Sequence, residues 1–223
     1  MKKKNFRRFM MYMSAVILRN PILIEGLVIA TVVMTTTHVL DAMCACLALW
    51  IMALPTALVM YPVKEKLPAY AKIIVYALVA CIMYIPAYFI LKAVSQQAIA
   101  DLTIYLPLLV LSELIVSHSE KKSKHRRFKP YAISTVIDLV GVSLVMFVVS
   151  TFREILAYGT FFGITLEIDF KLPMFALPFM GFIVVGYLCA LTRWVYSKVT
   201  ERTNRKKLKK PKTLILGEEE VKV

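Results

Sequence analysis

Six stretches of mostly apolar residues recur along the 223 residues, at approximately 22–40, 43–62, 72–94, 98–117, 131–151 and 173–192. Each is near the ~20 residues that a helix needs to cross a hydrocarbon layer of about 30 Å. Composition agrees, with 59% hydrophobic residues, only 19% charged residues and a mean hydropathy of +0.69. A soluble domain carries more charge than this. In lipid every backbone N–H and C=O must be paired within the protein, so spans of this length are read as helices. The expected fold is an all-α integral membrane protein with six transmembrane helices.

Charge then orients the chain. Lysine and arginine number 28 against 14 acids, a formal surplus of +14. With a cytoplasmic N-terminus and six spans, all but Lys92, Arg153 and Lys171 of these cations fall on the cytoplasmic side, where basic residues flanking spans are retained. Both termini are therefore expected inside, and Asp41, Asp101, Glu154, Glu167 and Asp169 outside. The expected organisation is a basic cytoplasmic arm over 1–19, a membrane body over 20–195 and a basic tail over 196–223. The arm resembles a secretory signal, but Arg19, Asn20 and Pro21 interrupt it and no small-residue cleavage site follows. The loop SHSEKKSKHRRFKP over 117–130 and the KKLKKPK tail are read as topology anchors on anionic lipid headgroups. The tail has neither interleaved aromatic residues nor a fold for nucleic acid, so no nucleic-acid partner is expected.

Candidate chemistry lies in polar groups at membrane depth. An ionisable side chain inside an apolar span is costly and is by default a functional hypothesis. Glu25, Glu113 and Asp138 are such residues and are the candidates for an ion or proton path; Glu25 and Asp138 are also near enough to span ends to reach the headgroups. Thr31, Thr35, Thr36, Thr37 and His38 form a dense polar run in the first span, suited to pairing freed backbone groups at a helix break or to close helix packing. His38 is read as interfacial, since no second histidine stands at a ligand spacing. Cys44 and Cys46 are two apart, so on a helix they point about 200° from each other. With Cys81 and Cys189 they are read as small buried hydrophobes, with no metal site and no disulfide framework. No phosphate loop, dinucleotide fingerprint, HExxH or GxSxG is present, so no self-contained active site is expected.

Spans one to three and four to six have similar lengths, with Pro21 and Pro107 near the entry of each half. An odd number of spans per half inverts the second half relative to the first. Two inverted three-helix repeats are expected, bringing Ala30 and Glu113 near each other at midplane.

Three stretches carry a family resemblance: NPILIEGLVIATVVMTTT (20–37), DLVGVSLVMFVVSTFREILAYGTFFG (138–163) and LPMFALPFMGFIVVGYLCALTRW (172–194). They resemble the membrane subunits of the Rnf and Na+-translocating Nqr complexes, of the RnfE or NqrD type. REILAYGTFFG, with Arg153, Glu154, Gly159 and Thr160, is the most specific element and reads as a loop motif after span five. LPAYAKIIVYA (67–77) and IYLPLLVLSELIV (104–116) fit in order. The resemblance implies a multi-pass subunit of a bacterial or archaeal cytoplasmic membrane, paired with a homologous subunit of opposite orientation and with other subunits of the complex. It implies a redox-driven translocase that couples ferredoxin or NADH oxidation to Na+ or H+ movement. It also implies an intramembrane iron-sulfur centre shared with the partner, held by a cysteine from span one and one from span four of each subunit. The positions matching those cysteines are Ala30 and Glu113 here, so this chain alone is expected to bind no cofactor. Glu113 at a vacated ligand position suits proton or cation handling. Two other readings stay open: a six-span carrier without redox chemistry, such as an importer's substrate-binding subunit, and an assembly partner that kept only the scaffold.

Overall fold

The computed structural model describes residues 20, 22–23, 26, 28–63, 66–102, 104–110, 128–165 and 171–208. In chain order these form helices α1 (Ile29–Thr35), α2 (Val39–Val63), α3 (Ala69–Val94), α4 (Gln96–Leu102), α5 (Tyr105–Val110) and α6 (Phe128–Tyr158). A two-residue hairpin follows, β1 (Thr160–Phe161) and β2 (Ile164–Thr165), then a 3-10 turn (Pro173–Ala176) and α7 (Pro178–Leu208). The hairpin pairs Thr160 with Thr165 and Phe161 with Ile164.

Four of these helices are long and apolar enough to cross a membrane: Val39–Val63, Tyr70–Val94, Pro130–Tyr158 and Pro178–Lys198. α2 is the hub, packing against α3 and α6. Helix association in lipid relies on close packing more than on apolar burial, so small residues at the seam matter most. α2 supplies them as buried Ala42, Ala45, Ala48 and Ala53. Ala45, Ala48 and Ala53 share one buried cluster with Tyr76, Ala80, Ala87 and Leu91 of α3, spaced at helical period, and with Val142, Val145, Met146 and Val149 of α6. One polar pair ties α2 to α6 and another ties α3 to α6. The Trp50 indole N–H donates to Ser143 Oγ at 2.9 Å, and the buried hydroxyls of Tyr76 and Tyr131 lie 3.1 Å apart. α2 and α6 run antiparallel: Val39 meets Glu154 at one end, and Tyr61 meets Phe128 and Tyr131 at the other.

Two readings of the sequence need correction. One uninterrupted helix over 22–40 does not form: α1 has only seven residues and ends at Thr35, a turn spans 36–38, and α2 begins at Val39. The threonines explain the stop, because their hydroxyls bond back to the chain and compete with the helix ladder. Thr35 Oγ1 donates to Thr31 O at 2.8 Å and Thr36 Oγ1 to Val32 O at 2.7 Å. The backbone is irregular before α1 as well, with Gly26 at φ 74° and Val28 at φ 65°, a strained value for a β-branched residue. The second correction concerns Arg153 and Glu154, read as loop residues. α6 continues to Tyr158, so both stand in its last turns, and only Gly159 and Thr160 lie beyond it.

The region read as the fourth span holds α4 and α5 among the described residues. α7 continues past its apolar part through Arg193 to Leu208, into the stretch read as a tail. The arm over 1–19 lies outside the described residues.

Candidate functional site

A helix broken inside a membrane body exposes N–H and C=O groups that lipid cannot pair. Here consecutive residues of α6 take up the two sides of the break. Arg153 is 1% exposed, and its guanidinium meets only neutral oxygens among its described partners. Nη1 donates to Val33 O at 2.6 Å and to Thr36 Oγ1 at 3.2 Å, at the C-terminal end of α1. Nε donates to Phe175 O and Nη2 to Ala176 O, both at 3.1 Å, so the same cation gathers the carbonyls of the 3-10 turn. The C-terminal end of a helical segment carries partial negative charge and favours a cation.

Glu154, also 1% exposed, does the converse. Oε2 accepts the Val39 N–H at 2.6 Å, the first amide of α2. Oε1 accepts the Thr160 hydroxyl and the Gly163 N–H, each at 3.1 Å, fixing the hairpin. An anion at a helix N-terminus is stabilised by the unpaired N–H groups and the dipole there. The two opposite charges are thus balanced by helix ends on either side of one break. The turn glycines make the geometry reachable. Gly159 has φ 65° and closes α6 through its N–H to Ile155 O, and Gly163 has φ 76° where its N–H turns to Glu154.

The chain before α1 is tied in the same manner. Buried Asn20 donates from Nδ2 to Gly141 O at 2.7 Å and accepts the Ile22 N–H on Oδ1 at 3.0 Å. α7 completes the enclosure at Gly181, where an added Cβ would stand 2.7 Å from Val33 Cγ1 and 3.2 Å from Arg153 Cζ. We expect Gly181→Ala to destabilise the fold by about 1–3 kcal/mol through overpacking. A thermal-unfolding midpoint indistinguishable from wild type in lipid nanodiscs would contradict that close approach.

A cavity of about 240 Å³ opens beside the clamp, lined by His38, Leu40, Asp41, Asp101, Glu154, Phe162 and Gly163. Sequence reasoning attaches no site to His38, Asp41 or Asp101. The signal for this grouping is absent from local spacing, because Asp41 and Asp101 stand on different helices.

The residues singled out from the sequence are distributed differently. Asp138 is half-buried in α6, 16 positions from Glu154 and so about 24 Å along the helix. Ala30 is an exposed residue of α1. Glu25 and Glu113 lie outside the described residues, as does the expected approach of Glu113 to Ala30.

Comparison with known proteins decides the family. The model of the Rnf-Nqr subunit, membrane protein, family matches residues 8–189. The chain belongs to the Rnf-Nqr family of membrane subunits. Relatives named as the E subunit of an ion-translocating oxidoreductase complex include that of Shewanella baltica, 24% identical over 198 residues, covering 82% of this chain and 85% of the relative. Those of Shewanella oneidensis and Shewanella loihica are 23% and 22% identical over the same shares of each chain. The element REILAYGTFFG thus has a physical basis in this Rnf-Nqr subunit: arginine, glutamate, two turn glycines and a threonine around one helix break.

The iron-sulfur centre implied by the family resemblance can be tested against the side chains. Ala30 offers a methyl group, which cannot coordinate iron. Cys44 and Cys46 on α2, Cys81 on α3 and Cys189 on α7 are free thiols on other helices than Ala30. Cys44 is buried and Cys46 and Cys189 are partly so, whereas Cys81, read as buried, is exposed because it stands on the outer face of α3. Among the described residues no three His, Cys, Asp or Glu side chains converge to hold a metal ion. The described residues of this chain do not fit such a centre.

Proposed function

We propose that this chain is a membrane subunit of an ion-translocating electron-transport complex of the Rnf type, in which ferredoxin or NADH oxidation drives Na+ or H+ across a bacterial cytoplasmic membrane. The observation that carries the reading is the family match over residues 8–189, nearly the whole membrane body. The names of the relatives support it, since they are subunits of ion-translocating oxidoreductase complexes. In this reading the body has six spans in two inverted repeats, with both termini in the cytoplasm. It pairs with a homologous subunit of opposite orientation and with further subunits of the complex. The partition of Lys and Arg supports that orientation.

The contribution of this chain is architectural at the break and ionic around it. Arg153 and Glu154 hold the irregular segment between α1 and α2 by pairing its carbonyl and amide groups. Ala30 supplies no ligand, so an electron carrier at that position would draw its ligands from other residues or other chains. Glu113, at the other substituted ligand position, is proposed with Glu25 and Asp138 as a group that handles protons or cations. A Glu113→Gln variant that keeps wild-type ion movement would count against that assignment. The experiment for the main reading is purification from native membranes through an affinity tag on this chain. Stoichiometric flavin and iron-sulfur subunits are the expected companions. Recovery with ATPase subunits in their place would favour an importer and overturn the proposal.

A further inference from the structure

We propose that the cavity beside His38 and Asp41 binds a hydrated alkali cation, with the Asp41 carboxylate as its seat and Asp101 at its mouth. Asp41 lies in the first turn of α2, is 8% exposed and lines the cavity. Among the described residues no N–H or O–H donates to its carboxylate. Glu154 shows the contrast, since it too is enclosed yet accepts three donors. An enclosed carboxylate that no protein donor meets draws its partner from the cavity it lines, as water or a cation.

The cavity can supply one. Its volume of about 240 Å³ has room for on the order of eight waters at about 30 Å³ each. Asp101 and Glu154 place further negative charge within electrostatic reach of Asp41, with His38 alongside. Carboxylates that line one cavity open to solvent concentrate cations there. Their oxygens are hard donors, which suit alkali and alkaline-earth ions and disfavour thiophilic metals. A Ca2+ ion draws on about six to eight oxygens, several of them from protein, and among the described residues no three His, Cys, Asp or Glu side chains converge. An alkali ion that keeps most of its water and touches Asp41 meets both conditions. Any role for this ion in transport rests on the proposed function; the binding itself stands on the cavity.

The test uses the whole 223-residue chain in phosphatidylcholine nanodiscs, with thermal unfolding followed as NaCl replaces choline chloride at constant ionic strength. The wild type is expected to show a saturable rise in melting temperature with Na+. Asp41→Asn, which keeps the side chain's shape, is expected to lose it. Asp101→Asn is expected to weaken the apparent affinity about fivefold by removing charge at the mouth. Asp101 is exposed, so that variant carries the comparison if Asp41→Asn does not fold. KCl reproducing the rise would support an alkali seat. Equal behaviour of Na+ and choline in the wild type, equal Na+ responses in wild type and both variants, or saturation with Ca2+ or Mg2+ alone would overturn the proposal. Copurification of redox subunits is read separately and can succeed where this binding fails.

Discussion

Replacing Arg153 with alanine is expected to lower the stability of the chain by about 3–5 kcal/mol, the largest effect expected of any single substitution in it. The loss has an identifiable source. The guanidinium serves Val33 O, Phe175 O, Ala176 O and the Thr36 hydroxyl from one position, and alanine leaves those oxygens enclosed without that donor. Each unsatisfied buried group costs about 1–3 kcal/mol. Lysine is not an adequate substitute, since one ammonium cannot reproduce a planar fork that reaches α1 and the 3-10 turn together. Thermal unfolding in nanodiscs measures the effect, with Arg153→Lys expected to recover less than half of it. A full recovery by lysine would show that charge alone is needed and that the fork geometry is incidental.

Glu154→Ala is expected to produce the second largest loss, about 2–4 kcal/mol, because three donors lose one acceptor. The Val39 amide, at the start of α2, is the costliest of these, since it opens the hub helix. Glu154→Gln separates charge from hydrogen bonding. It retains one acceptor oxygen and removes the anion from the helix N-terminus, so an intermediate loss of about 1–2 kcal/mol is expected. Hydrogen exchange at the first turn of α2 is the local readout, with faster exchange predicted in both variants. Unchanged exchange there would mean that the cap on Val39 contributes nothing to α2.

The membrane body is legible in the sequence because apolar length is a direct consequence of bilayer thickness, and α2, α3, α6 and α7 follow that signal. Hydropathy is blind to a break within an apolar run. The division between α1 and α2 depends on hydroxyl back-bonding at Thr35 and Thr36 and on partners in α6, more than 100 residues away. The threonine run signals that something polar happens there, without saying where the helix stops. Arg153 and Glu154 stand out as a motif, yet their place on a helix is hidden because charged residues past an apolar run read as a loop. The cavity is the least legible feature. It gathers Asp41, Asp101 and Glu154 from three helices, and no local pattern links them. Asp138 stands out in the sequence through its depth alone, and its position about 24 Å along α6 from Glu154 puts it toward the opposite end of the helix.

Redox-driven ion movement is tested most directly by cation accumulation in sealed vesicles containing the complex retrieved through this chain. With NADH or reduced ferredoxin as donor, Na+ or H+ uptake is predicted to start on donor addition and to stop when oxidation is blocked. Donor oxidation with no accompanying ion movement, or uptake driven only by ATP hydrolysis, would contradict it.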